Sequence, residues 1–241
     1  MNKAQWLFCQ YTAGAGGRAV CCCLQTANKV ASWWGQRPSV ESLVKLHTND
    51  INHVRKEPDS DYKLSWLARS YGIDRGNGLT VDEVDSLLQK DDEIKKIINN
   101  NEMLLIAWNK TTMPAWFDGE LIQIINDEGS LSWLVNRRKK LFYVETSEGI
   151  IEVRYDSRYH PKPERNDRCV SSLPLDELVS KQLIAENIRP NSIAHQIQLS
   201  WLLNQQWNIL FDCLENAIGD TVDRAWCEQY LKAWHKKTVS Y

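Results

Sequence analysis

Hydrophobic residues fall along this chain in short continuous runs, separated by polar stretches rich in turn formers. Trp6-Leu7-Phe8-Cys9, Met103-Leu104-Leu105-Ile106-Ala107-Trp108 and Leu121-Ile122-Gln123-Ile124-Ile125 are such runs. Apolar positions without strict alternation predict strands buried on both faces, as in a parallel sheet. The first run leads through a glycine-rich turn into small and apolar residues that predict a buried helix, with Gly35-Gln36-Arg37-Pro38 as its breaker. The third ends in Asn126-Asp127-Glu128-Gly129, after which Ser130 can cap a helix carrying Leu131, Trp133, Leu134 and Val135. Between them, Ser42–His47 reads as a short strand and residues 63–71 as a short helix. Thr80 with Glu83 makes a capping box opening a helix to about Asn99, with Leu87, Leu88, Ile94, Ile97 and Ile98 on its buried face.

The period changes after residue 140. Leu141–Val144 and Ile150–Tyr155 flank Glu148-Gly149 and predict a β-hairpin, followed by a long polar loop from Asp156 to Pro174. Two helices close the chain. One has Leu199, Leu203, Trp207, Leu210, Phe211, Leu214 and Ile218 on one face, and Gly219 stops it. The other starts at Asp220 or Thr221 and carries Val222, Trp226, Tyr230 and Trp234 at four-residue spacing, as a core stripe does. The expected fold is α/β: a three-layer parallel sheet flanked by helices, with a β-hairpin insertion and two C-terminal helices. It reads as a single domain over 1–241, with 141–174 as the hairpin and long-loop insertion.

Composition narrows the setting. With 241 residues, 43% hydrophobic content and 11 Trp, the chain can bury a sizeable core. A net charge of −2 gives no global field for nucleic acid or membrane. The 7 Cys, with Cys21-Cys22-Cys23 consecutive, have neither disulfide-framework nor zinc spacing, and read as small buried hydrophobes in a reducing cytosol. Met1–Trp6 is too polar for a signal peptide, and no apolar stretch approaches the ~18 residues of a membrane span. The expected location is the cytoplasm, or the host cytoplasm if the protein is viral.

The chemistry concentrates at Thr12-Ala13-Gly14-Ala15-Gly16-Gly17-Arg18, between the first strand and its helix. There a glycine-rich backbone can approach an anion closely, and the helix start adds about half a positive charge. A plain tight turn is the alternative. The turn differs from a Walker A loop, because Arg18 and Ala19 stand where Lys and a hydroxyl are needed. It matches only the first half of the dinucleotide pattern, and no acidic residue follows at the right distance for NAD.

This order of parts resembles the sulfotransferase branch of the P-loop fold. That family opens with a strand, a loop cradling the 5′-phosphosulfate of the donor, and a helix; Gln10–Arg18 occupies that place. Ile124–Ser130 resembles its later strand and turn, where an Arg and a Ser grip the donor's 3′-phosphate, although Asn126 stands in place of the Arg. Ser130 and Ser132 come earlier than the usual Ser, and Arg137 and Arg138 come later. The segments 210–215, 220–223 and 226–234 resemble the closing helices of sulfotransferase-like proteins, some of them viral. The resemblance implies a P-loop-like sheet, 3′-phosphoadenosine 5′-phosphosulfate as donor, no metal, and a small-molecule or glycan hydroxyl as acceptor. It implies donor binding by Thr12, Gly14, Ala15, Gly16, Gly17, Arg18, Ser130, Ser132 and Arg137.

Sulfuryl transfer needs a base for the hydroxyl and cations for the developing charge. Lys45-Leu46-His47 resembles the family's Lys-x-His, which makes His47 the first choice of base, with Asp50 and His53 nearby. Arg18 could neutralise the transferred group. For each, a solvated loop or helix-end residue without a catalytic task is the plain alternative. Arg137-Arg138-Lys139-Lys140 reads either as a solvated helix end or as a grip for a second phosphate or polyanion. The cations between Arg154 and Arg168 are nearly cancelled by Glu152, Asp156, Glu164 and Asp167, so nucleic acid is not expected as a partner. Two other readings share the scaffold: a non-catalytic phage accessory or structural interaction protein with a protein partner, and a nucleotide kinase-like phosphotransferase.

Overall fold

The apolar run at the N-terminus forms β1 (Gln5–Tyr11), paired in parallel on one side with β2 (Met103–Trp108) and on the other with β3 (Gly119–Ile125). The computed structural model describes residues 5–12, 14–31, 39–41, 92–108, 111, 113, 117, 119–146, 149–154, 164–165 and 173–239. A fourth parallel strand, β7 (His195–Gln198), joins β3, giving the order β2-β1-β3-β7. The architecture is thus α/β, with a four-stranded, all-parallel sheet flanked by helices. The connection from β1 to β2 runs one way and that from β2 to β3 crosses back, so strand order reverses at β1. In open parallel sheets, ligands bind outside the C-terminal strand ends at such a reversal.

Alternation along β1 sends Leu7, Cys9 and Tyr11 to one face and Trp6, Phe8 and Gln10 to the other. The first set meets α1 (Gly17–Leu24), of which every residue but Arg18 is buried. Cys21 hydrogen-bonds the Cys9 thiol, and this contact with burial pushes the Cys21 thiol well above its ordinary range. Burial does the same for Cys23, which also meets the Cys227 thiol. Among the described residues Cys9, Cys21, Cys22, Cys23, Cys213 and Cys227 form no disulfide, and all but Cys213 are buried. They pack as small hydrophobes. On the other face Phe8 meets Trp108 and Phe117 edge to face, at centroid distances of 5.5 and 4.8 Å.

α1 ends well before the expected Gly35. The Gln25 and Thr26 side chains take the Cys21 and Cys23 carbonyls, which closes the last turn. Lys29 then bonds Gly219 and Asp220, and Val30 bridges to Met103 beside β2. Tertiary anchors rather than a proline stop this helix. The strand expected at 42–47, the helix at 63–71 and the capping box at Thr80 lie outside the described residues. The end of that last helix is seen as α2 (Asp92–Asn99).

After β3, α3 (Glu128–Phe142) begins one turn earlier than expected. Asp127 is its N-cap, and Ser130 lies inside the first turn. α3 also takes in Leu141 and Phe142, so the hairpin is β4 (Tyr143–Thr146) with β5 (Gly149–Arg154). A short β6 (Glu164–Arg165) adds to β5 within the segment read as loop. The sequence reading missed α4 (Leu175–Ala185) and β7 altogether. It also joined two helices into one. The chain breaks between α5 (Leu199–Leu203) and α6 (Trp207–Ile218), where Gln205 has φ 58°. α6 ends at left-handed Gly219, and α7 (Arg224–Thr238) starts with the Asp223 side chain accepting from Trp226 N–H. Among the described residues no helix is long and apolar enough to cross a membrane.

Candidate functional site

The site lies at the C-terminal ends of β1 and β3. Gly14 and Gly16 have φ of 94° and 76°, a left-handed backbone that side chains disfavour. Ala15 N–H bonds the Thr12 carbonyl at 2.9 Å, which closes the turn, and Gly16 is the N-cap of α1. Gly16 as N-cap offers no side-chain cap, so the first turn presents backbone N–H groups and the positive end of the dipole. Gly17 meets the next constraint: a Cβ there would fall 2.0 Å from the Tyr11 ring. Gly17→Ala is therefore expected to destabilise by about 1–3 kcal/mol through overpacking, despite alanine's better helix propensity. Equal or higher stability in urea unfolding would show that the ring yields freely.

β3 supplies the opposite wall. Asn126 Nδ2 donates to Thr12 Oγ1 at 2.9 Å, which ties the end of β3 to the start of the turn. Asp127 accepts the Ser200 N–H at 2.8 Å and so fixes the start of α5 behind it. The helical period then decides which residues of α3 face the turn. Ser130, Leu134 and Arg137 share a face. Arg137 Nε donates to the Gly14 carbonyl at 3.1 Å, and its guanidinium lies 5.4 Å from the Trp133 ring centroid and 6.0 Å from that of Trp234. Burial depresses the Arg137 pKa to about 10. Among the described residues no carboxylate pairs with it. A partly buried cation thus stands beside a helix start that is itself positive.

The expected site residues separate under this geometry. Thr12, Gly14, Ala15, Gly16, Gly17 and Arg18 form the turn; Thr12 and Ala15 are buried and Arg18 is exposed. Arg137 reaches it. Ser130 is buried, but its hydroxyl donates to the Asp127 carbonyl at 2.8 Å, inside its own helix. Ser132 is exposed on α3, about 200° from Ser130 around the axis. Its spacing takes it off the face that carries Arg137. His47, Asp50 and His53 lie outside the described residues.

Arg137, Arg138 and Lys139 of the basic run on α3 are neither a solvated helix end nor one patch. Arg138 pairs with Glu186 at 2.8 Å and Lys139 with Asp176 at 2.6 Å, both at α4, while Arg137 turns to the glycine loop. Successive residues point about 100° apart, which disperses a run that is contiguous in sequence. Arg138 and Lys139 thus fasten α3 to α4.

Sequence reasoning passed over three groups here. Asn126 was read only as a missing Arg, yet it is the link to Thr12. Trp234 was read as core, and its ring lies 3.1 Å from where a Gly16 Cβ would stand, with Leu202 at 3.6 Å. Gln10 and Gln123, each polar within an apolar run, are cross-strand neighbours; Gln123 Nε2 donates to Gln10 Oε1 at 2.7 Å. Polar residues in buried strands were the available signal, since such groups are retained with partners. No family model, curated protein or solved structure matches this chain.

Proposed function

We propose that the protein is sulfotransferase-like: it binds a phosphorylated adenosine donor with its anionic end at Gly14–Arg18, and transfers a sulfuryl group to a hydroxyl acceptor. The observation that carries the reading is Arg137. It is a partly buried cation without a carboxylate among the described residues, next to the N-terminus of α1, whose N-cap glycine offers no side-chain cap. Such an arrangement is electrostatically incomplete, and an oxyanion completes it. The parallel sheet with its order reversal at β1 is compatible with a P-loop-like scaffold. The donor proposed is 3′-phosphoadenosine 5′-phosphosulfate, with Arg18 at the exposed rim and His47 as the base toward a small-molecule or glycan hydroxyl.

Thermal unfolding with adenosine 3′,5′-bisphosphate, its sulfated form, ATP with Mg²⁺, and inorganic sulfate tests this reading. A ligand selective for the folded state contributes about 2.7 kcal/mol at a hundredfold excess over its Kd, a Tm rise of roughly 5–10 °C for a chain of this size. The bisphosphate is expected to raise Tm in this range, and Arg137→Gln is expected to abolish the rise. His47→Ala is expected to keep the rise and lose transfer. One observation favours a second reading, a non-catalytic interaction protein: Trp234 and Leu202 pack against Gly16, and Ala15 is fully buried, which narrows the approach to the turn. Unchanged Tm with every nucleotide would favour that reading and sink the first.

A further inference from the structure

Resting on the anion site proposed above, we infer that Asn126 is a positioning residue that directs the Thr12 hydroxyl proton toward the bound oxyanion. Thr12 is the first residue beyond β1 and is 2% exposed. Its Oγ1 accepts from Asn126 Nδ2 at 2.9 Å. A hydroxyl that accepts there keeps its own proton to give. Among the described residues no acceptor takes that proton. The Thr12 carbonyl, bonded by Ala15 N–H at 2.9 Å, fixes the residue at the start of the turn that Arg137 also bonds.

Asn126 itself is asymmetric. Its amide donor meets Thr12, while Oδ1 is buried and has no hydrogen-bond partner among the described residues. A buried acceptor left unpaired is costly and calls for a reason. Direction is the reason: with the amide donating to Oγ1, the Thr12 proton is turned away from β3. A phosphate or sulfate oxygen accepts and, once ionised, cannot donate, so it suits this proton together with the Arg137 fork and the α1 N-terminus. The bond to Thr12 makes Asn126 act through the hydroxyl rather than on the ligand.

Isothermal titration of the full chain with adenosine 3′,5′-bisphosphate, and separately with inorganic sulfate, tests the inference. Thr12→Val and Asn126→Leu are each expected to weaken binding of both ligands about tenfold, as loss of one hydrogen bond to a charged group does. Thr12→Ser keeps the hydroxyl and is expected to stay within about twofold of wild type. The double variant Thr12→Val with Asn126→Leu is expected to bind no worse than either single variant, because both act through one bond. Asn126→Asp, nearly isosteric, draws the Thr12 proton back to its carboxylate and is expected to weaken binding further. Circular dichroism checks that each variant is folded. Additive losses in the double variant, an unchanged Kd in folded Asn126→Leu, or a loss confined to the bisphosphate would overturn the positioning role while leaving the site intact. A wild-type protein that binds neither ligand would remove the site and this role together.

Discussion

Gln123→Leu is expected to lower the unfolding free energy by about 3 kcal/mol, a large part of the roughly 5–15 kcal/mol that holds a domain together. Gln123 is 2% exposed in the middle of β3, where its neighbours Ile122 and Ile124 are fully buried. Its amide serves three partners. Nε2 donates to Gln10 Oε1 at 2.7 Å and to the Arg189 carbonyl at 3.3 Å, and Oε1 accepts the Asn191 N–H at 2.7 Å. Gln10 in turn donates to the Thr111 carbonyl at 3.2 Å. The pair therefore fastens the segments around residues 111 and 189–191 to the centre of the sheet. Leucine fills similar volume but abandons all three groups, each worth about 1–3 kcal/mol when left buried and unpaired. The lower end applies, because two of the three are backbone groups in a loop that water can partly reach. Urea unfolding measures the effect. The double variant Gln10→Leu with Gln123→Leu should cost less than the sum of the singles, since removing both amides removes the mutual orphan. A single-variant cost under about 1 kcal/mol would mean that the amides are hydrated rather than sealed.

The second large effect is expected from Trp234→Ala, at about 3–5 kcal/mol and a fall in Tm of roughly 10 °C or more. Trp234 is 1% exposed and among the largest fully buried side chains. It packs against Gly16 and Leu202, meets Trp133 at a centroid distance of 6.4 Å, and carries the Arg137 guanidinium over its face. Trp133 Nε1 reaches the Thr238 carbonyl at 3.3 Å, so α3 and the end of α7 are fastened together around this ring. Removing it leaves a cavity and takes one of two aromatic supports from Arg137. Trp234→Phe keeps much of the apolar volume and should cost clearly less. Scanning calorimetry checks both; a fall of under about 2 °C for the alanine variant would show that the ring is not the packing centre described. Because Arg137 is the cation of the proposed site, the alanine variant should also weaken any bisphosphate response.

These effects fall where sequence and structure parted. The strands at 103–108 and 121–125 were legible because continuous apolar runs bounded by polar residues have few other uses, and the turn after β1 was legible because glycines cluster where the chain must turn into a helix. α4 and β7 were not. β7 reads His195-Gln196-Ile197-Gln198, with one buried residue, Ile197, and polar neighbours that suit a sheet edge. Its pairing with β3 comes from the sheet and not from its own pattern. The break at Asn204–Gln206 was hidden because the apolar spacing of 199–218 continues across it, while Gln205 takes up a left-handed conformation that its side chain does not announce.

What the sequence by itself determined is local. Apolar runs long enough for buried strands, glycines able to hold φ of 94° and 76°, and Gly219 as a helix stop all act through the conformations open to a few consecutive residues. What only the tertiary structure decided is adjacency. That Thr12 faces Asn126, that Arg137 rather than Ser132 reaches the glycine turn, that Gln10 meets Gln123, and that Arg138 turns away to Glu186 all depend on sheet register and helix rotation. A shift of one residue reverses the face of a strand, and one step along a helix turns the side chain by about 100°. Contacts between residues distant in sequence depend on one or both, and the packing of the whole sheet sets them.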